Sequence, residues 1–181
     1  MEKKINTTRL AKMGMLVAIA IVLVSIIHIP IIPAVPFLEY DPADIPILLG
    51  TFAFGPIWGL VLTIVTSVLQ GLTVSAQSGV YGILMHIIAT GVFSLVSGLI
   101  YRYKKVKTKK HAIIGLLLGS ISMVLVMIPA NLLITPYFLS TTKEVVVALL
   151  PGIILFNAIK AGINSVVTFL VYKKVSPFLH K

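Results

Sequence analysis

The chain has 181 residues, 58% of them hydrophobic and 11% charged, with no cysteine and a formal net charge of +10. A soluble domain carries about a quarter of its residues as charges, so this composition, with a mean hydropathy of +1.08, is that of a membrane protein. It excludes disulfides and thiolate metal sites. The basic residues sit between hydrophobic runs and not along an amphipathic face, which points away from nucleic acid.

Runs such as "MGMLVAIAIVLVSII" and "AIIGLLLGSISMVLVMI" do not alternate, so transmembrane helices are expected rather than a small barrel. At ~20 residues per crossing the length has room for six or seven. The first is expected over 8–29. Its basic approach resembles a signal peptide, but the apolar run exceeds an h-region of about 7–15 residues and no small-x-small site follows. On it, Gly14-x-x-x-Ala18 is a small pair that lets another helix approach closely. "IPIIPAVPFLEYDPAD" then breaks the pattern, because its four prolines cannot share a helix interior. The stretch "FLEYDPADIP" gathers three of the five acidic residues. A short second helix, 45–54, ends at the turn signal Gly55-Pro56, and a third covers 57–73. The polar loop "TVSAQSGVYG" carries Gln77 and Tyr81. The fourth helix, 83–101, leads through the basic connector "RYKKVKTKKH" to a fifth at 112–134. "TPYFLSTTKE" precedes the sixth, 145–172, whose Pro151 lies in the first turns, where proline costs least. The expectation is a single all-α transmembrane domain with six crossings.

Lysine and arginine in short loops set orientation. Lys3, Lys4, Arg9 and Lys12 precede the first helix; Arg102, Lys104, Lys105, Lys107, Lys109 and Lys110 separate the fourth from the fifth; Lys173, Lys174 and Lys181 follow the sixth. With six crossings all three groups share one side, so both termini are expected in the cytoplasm. Of the fifteen basic residues only Lys143 then lies in an outer loop and only Lys160 within a helix.

Lys160 is the sharpest signal. A charge at mid-membrane costs ~2.5–3.5 kcal/mol on insertion scales, and something must offset it. Asn157, Lys160 and Asn164 are spaced by three and four, so they share one face, which Ala161 and Thr168 extend. That face reads either as interhelical hydrogen bonding or as a site for a polar ligand. Asn131 follows Pro129, which frees a backbone carbonyl. With Gln77, Tyr81 and the outer half of the sixth helix it can line one outward-facing pocket. His28 and His86 are single and read as satisfied polar groups; His86 has no nearby carboxylate in sequence and no His-x3-His partner, so metal-ligand spacing is absent. Asp41 and Asp44 lie in a loop with no suitably spaced histidine, and no P-loop, Gly-x-Ser-x-Gly or His-Glu-x-x-His is present. No enzyme is expected, and an ATP-driven process would need another protein's ATPase.

The stretch "VPFLEYDPADIPILLGTFAFGPIWGLV", residues 35–61, resembles the loop 1–helix 2–helix 3 region of S components of energy-coupling factor (ECF) vitamin transporters. The pieces that carry the likeness are the proline-rich approach, Tyr40-Asp41-x-x-Asp44-Ile45-Pro46 and Phe54-Gly55-Pro56-x-x-Gly59. The resemblance implies a multi-pass protein of a prokaryotic cell membrane that captures a vitamin outside. It then delivers the vitamin through a transmembrane coupling subunit powered by two cytoplasmic ATPases. Family members dock through Ala-x-x-x-Ala on helix 1, matched here by Gly14 and Ala18. Among S components the likeness is to the riboflavin-specific type. Many of these carry a Lys-Asn pair late in helix 3, where this chain has Leu69-Gln70-Gly71. In this light the acidic stretch is an extracellular lid of Phe37, Leu38, Glu39, Asp41 and Asp44, and Tyr40 is a substrate-binding residue that with Phe37 and Leu38 can cover an aromatic ligand. Its prolines lower the entropy cost of a defined shape. The two aspartates are expected to cap helix 2, and the lid to cover a pocket of helices 4 to 6. No cofactor is implied, only riboflavin as transported ligand. Lys160 by itself leans toward an anion, so pantothenate stays open beside riboflavin, as do a pyrimidine or pyridoxine precursor and a self-sufficient secondary transporter.

Overall fold

The computed structural model describes residues 7–103 and 108–180, with side chains through Val175. Six α-helices dominate: α1 (Thr7–Ile26), α2 (Asp44–Phe54), α3 (Pro56–Leu72), α4 (Gly79–Arg102), α5 (Lys109–Phe138) and α6 (Lys143–His180). Between α1 and α2 the proline-rich segment forms a two-stranded antiparallel ladder, β1 (Ile29–Pro30) with β2 (Glu39–Tyr40), pairing Ile29 with Tyr40 and Pro30 with Glu39. A short 3-10 turn, Ala76–Ser78, leads into α4. Of the basic residues invoked for orientation, Lys3, Lys4, Lys104, Lys105, Lys107 and Lys181 lie outside the described residues.

Among the described residues four segments are long and apolar enough to cross a membrane: Thr7–Ile26, Ala76–Arg102, Lys109–Phe138 and Lys143–Val175. Their outer faces carry a belt of exposed large apolar side chains, among them Met15 and Val22 on α1, Leu117 and Leu125 on α5, and Val166 and Leu170 on α6. This is a multi-pass membrane protein. Helix α2, at 11 residues, rises only about 16 Å and cannot cross a ~30 Å hydrocarbon core by itself. It is instead the centre of the bundle. Every residue from Asp44 to Ala53 is buried, as expected of a helix that is apolar all round.

Two local devices fix the packing. Helix α2 gives way to α3 at Gly55, whose φ of +113° is a conformation essentially reserved for glycine. The Arg102 guanidinium closes this turn by donating to the Ala53 carbonyl at 2.8 Å. On the other side α4 and α5 meet closely, because Gly115 leaves no side chain between α5 and the Ser97 carbonyl; a Cβ there would lie 2.8 Å from that oxygen. Helix α5 runs through Pro129 and Pro136 without ending, the neighbouring packing holding what the missing N–H groups cannot.

The segment between β1 and β2 is tucked in. Val35 is fully buried among Val146, Ile153 and Phe156, with Ile31, Ile32, Phe37 and Leu38 packed around them. Backbone turns from Val35 N–H to Ile32 and from Leu38 N–H to Val35, each 3.0 Å, bend it into place.

Candidate functional site

Lys160 is buried in α6 and its ammonium must find a partner. Asp41, just after β2, supplies it: Nζ donates to Oδ2 at 2.7 Å, both side chains being 8% exposed. Asp41 is itself held by the turn, its Oδ1 accepting the Ala43 N–H at 3.0 Å. This charge-assisted bond joins residues 119 apart in sequence and straps the loop to α6. Removing one member of such a buried pair typically costs ~3–5 kcal/mol.

One turn further along α6, Asn164 extends the strap. Burial pushes the Tyr40 phenol up from its ordinary range, so it stays protonated and donates to Asn164 Oδ1 at 3.0 Å. The amide nitrogen donates to Asp44 Oδ2 at 2.9 Å. Asp44 does not cap α2 as its position suggested: Ala43 is the N-cap residue and no side-chain cap bond forms. The carboxylate turns inward, accepting from Thr90 Oγ1 at 2.6 Å and facing His86 Nε2 at 3.4 Å. The other imidazole nitrogen meets Ser67 Oγ at 3.0 Å. Asp44 therefore ties α2, α4 and α6 together, with α3 joined through His86. Asp41 caps its own turn and not the helix end.

Against this network opens a cavity of about 140 Å³, whose polar wall includes Asp41, Ser67, Gln70, His86, Asn157 and Lys160. Phe37, Leu38 and Glu39 cover it, Met127 and Phe156 line its apolar side, and His28 stands among its lining residues, its Nδ1 3.2 Å from the Val24 carbonyl oxygen. A second chamber of about 90 Å³, between Tyr81, Asn131, Ile134, Thr135 and Phe138, shares Phe37, Leu38, Ser78, Gly82, Met85 and Met127 with the first. It is largely apolar and aromatic, with Phe138 flanked by the Phe37 and Tyr81 rings at 6.4 and 6.1 Å.

The residues singled out from the sequence fall into groups. Asn157, Lys160, Phe37, Leu38, Glu39 and Asp41 line the polar chamber; Tyr81 and Asn131 line the apolar one. Tyr40, Asp44 and Asn164 stand behind the wall as its hydrogen-bonded support. Gln77 is exposed on the 3-10 turn and lines neither chamber. Gly14 and Ala18 are exposed on the outer face of α1. Nothing lies within 4 Å of where a Gly14 Cβ would stand.

The expectation of a pocket made by α4 to α6 omitted α3, which contributes Ser67, Gln70 and Gly71. The sequence does carry a signal for them. Thr63, Thr66, Ser67 and Gln70 recur at helical spacing, as do His86, Thr90, Ser94 and Ser97, and all but His86 are buried. A polar stripe at that period marks the inward face of a membrane helix. His86 was read as lacking a carboxylate because Asp44 lies 42 residues away in sequence.

Comparison with known proteins agrees with this architecture. A solved structure described as "Structure and mechanism of the S component of a bacterial ECF transporter" superposes with a TM-score of 0.82 at 35% identity, covering 97% of this chain and 99% of that one. Riboflavin transporter RibU of Staphylococcus aureus is 33% identical over 99% of this chain and 98% of its own length. Riboflavin transporter FmnP of Bacillus subtilis is 31% identical over 96% and 94%. Residues 8–172 match the family described as "ECF transporter, substrate-specific component", and the chain belongs to that family.

Proposed function

We propose that the chain is the riboflavin-binding S component of an ECF-type importer. The observation that carries this reading is the Lys160–Asp41 pair. Lysine alone suggested an anionic ligand such as pantothenate, but its ammonium is engaged by Asp41 at 2.7 Å. The wall therefore favours a neutral molecule held by hydrogen bonds. The adjoining apolar chamber, walled by Tyr81, Met85 and Phe138, suits a flat ring system. Relatives named as riboflavin transporters, matched over nearly their whole length, support the same ligand.

In this reading Phe37–Asp44 is the lid, and Tyr40, Asp41 and Asp44 hold it shut through α6 and α4. The protein sits in the cell membrane of a prokaryote with the lid outside and the Arg102–Lys109 end in the cytoplasm. The bundle makes six passages, α2 completing one together with the loop. Gly14 and Ala18 present the docking face for a transmembrane coupling subunit, which two cytoplasmic ATPases drive. Protein purified from cells in mild detergent is expected to be yellow, and heat is expected to release a compound with the mass of riboflavin. Colourless protein that shows no thermal shift with added riboflavin overturns the reading.

A further inference from the structure

Gln70 is a polar group of the first chamber that the lid network does not use. Gln70, late in α3, is 8% exposed and lines the cavity. After α3 the chain turns so that the Ser75 N–H donates to the Gln70 carbonyl at 2.9 Å. That places the Ser75 hydroxyl where Gln70 Nε2 donates to it at 3.4 Å. One end of the amide is thereby held by the turn, and the other, Oε1, is buried with no hydrogen-bond partner among the described residues. Native proteins rarely keep a buried acceptor unpaired without a use for it.

We infer that Gln70 is a specificity residue whose free amide end hydrogen-bonds a hydroxyl on the ligand's flexible chain. The inference rests on the flavin reading above and deepens it. A hydroxyl can pair with either amide atom, and a hydroxylated chain offers several. The surroundings distinguish the chain from the ring. Ser67, Ser75 and His86 border the cavity beside Gln70, whereas the chamber suited to a planar ring is bordered by Tyr81, Ile134 and Phe138.

The test is Gln70→Met, which keeps length and removes the amide. Ligand-free protein is titrated with riboflavin and with lumiflavin, the same ring carrying a methyl group in place of the hydroxylated chain. Riboflavin affinity is expected to fall roughly tenfold, lumiflavin affinity to change by less than about twofold, and the ligand-free variant to melt no lower than wild type. Equal losses for both flavins, or no loss for riboflavin, overturn the assignment. So does wild-type protein that binds lumiflavin as tightly as riboflavin, since the hydroxyls then contribute nothing. If Gln70→Met does not accumulate, Gln70→Leu is measured in the same way with the same criteria. Wild-type protein that binds neither flavin sinks the functional reading itself, which separates that failure from a failure at Gln70.

Discussion

Lys160 and Asp41 are each costly where they stand and tolerable only together. Lys160→Met removes the cation and leaves the Asp41 carboxylate buried beside apolar side chains. We expect a loss of ~3–5 kcal/mol in stability and a weakening of riboflavin binding by more than about tenfold. Asp41→Asn in the same chain should restore most of the stability, because an amide oxygen still accepts the Ala43 N–H, bonded now at 3.0 Å, and no charge remains to be neutralised. Thermal unfolding of the single and double variants in detergent checks this. A double variant as unstable as Lys160→Met refutes the pairing. Asn164 differs in kind. It carries no charge, yet it joins Tyr40 and Asp44 at 3.0 and 2.9 Å, so its loss would uncouple lid from helix without leaving a buried ion.

At the scale of elements, the turn between α2 and α3 is the tightest constraint. Gly55→Ala meets two obstacles, the φ of +113° and an Arg102 Nη1 only 2.7 Å from the new Cβ. A penalty of ~1–3 kcal/mol is expected, and most of it should persist in an Arg102→Ala background, since the backbone strain remains. Chemical denaturation measures it; equal stability to wild type would refute it. This turn was readable from Gly55-Pro56 alone, as were the long apolar helices and the polar face of α6. The fold of loop 1 was not. Four prolines exclude a helix, but they do not say that Val35 will be buried against Val146, Ile153 and Phe156, because that contact depends on residues over a hundred positions away. For the same reason Asp44 read as a helix cap. Position beside Ile45-Pro46 is local information, and its actual partners, Thr90, Asn164 and His86, arrive only with the fold. The α3 wall of the cavity was legible in principle from the spacing of Thr63, Thr66, Ser67 and Gln70.

For the whole molecule, the distribution of charge makes a topological claim that the absence of cysteine makes easy to test. Tyr103 is 86% exposed at the end of α4, and Lys143 is exposed at the start of α6. In intact cells a membrane-impermeant maleimide is expected to label Lys143→Cys and to spare Tyr103→Cys until the membrane is opened. The reverse pattern would invert the orientation and put the lid inside. Among the described residues four helices are long and apolar enough to cross a membrane, and the short helix between them bears on the shape of the site. Because α2 is short, the volume beyond its first turn is filled by loop rather than helix, and a cavity forms there.

The β1–β2 ladder has a consequence beyond shaping the lid. Only Ile27 and His28 separate α1 from β1, and Ile29 is paired with Tyr40, so the lid and α1 are nearly one mechanical piece. Thermodynamic linkage then runs both ways. A subunit whose grip on α1 weakens tenfold when the pocket is filled must itself loosen the bound molecule by the same tenfold, ~1.4 kcal/mol. Any coupling between loading and such docking is reciprocal, and measuring either one as a function of the other gives the same number.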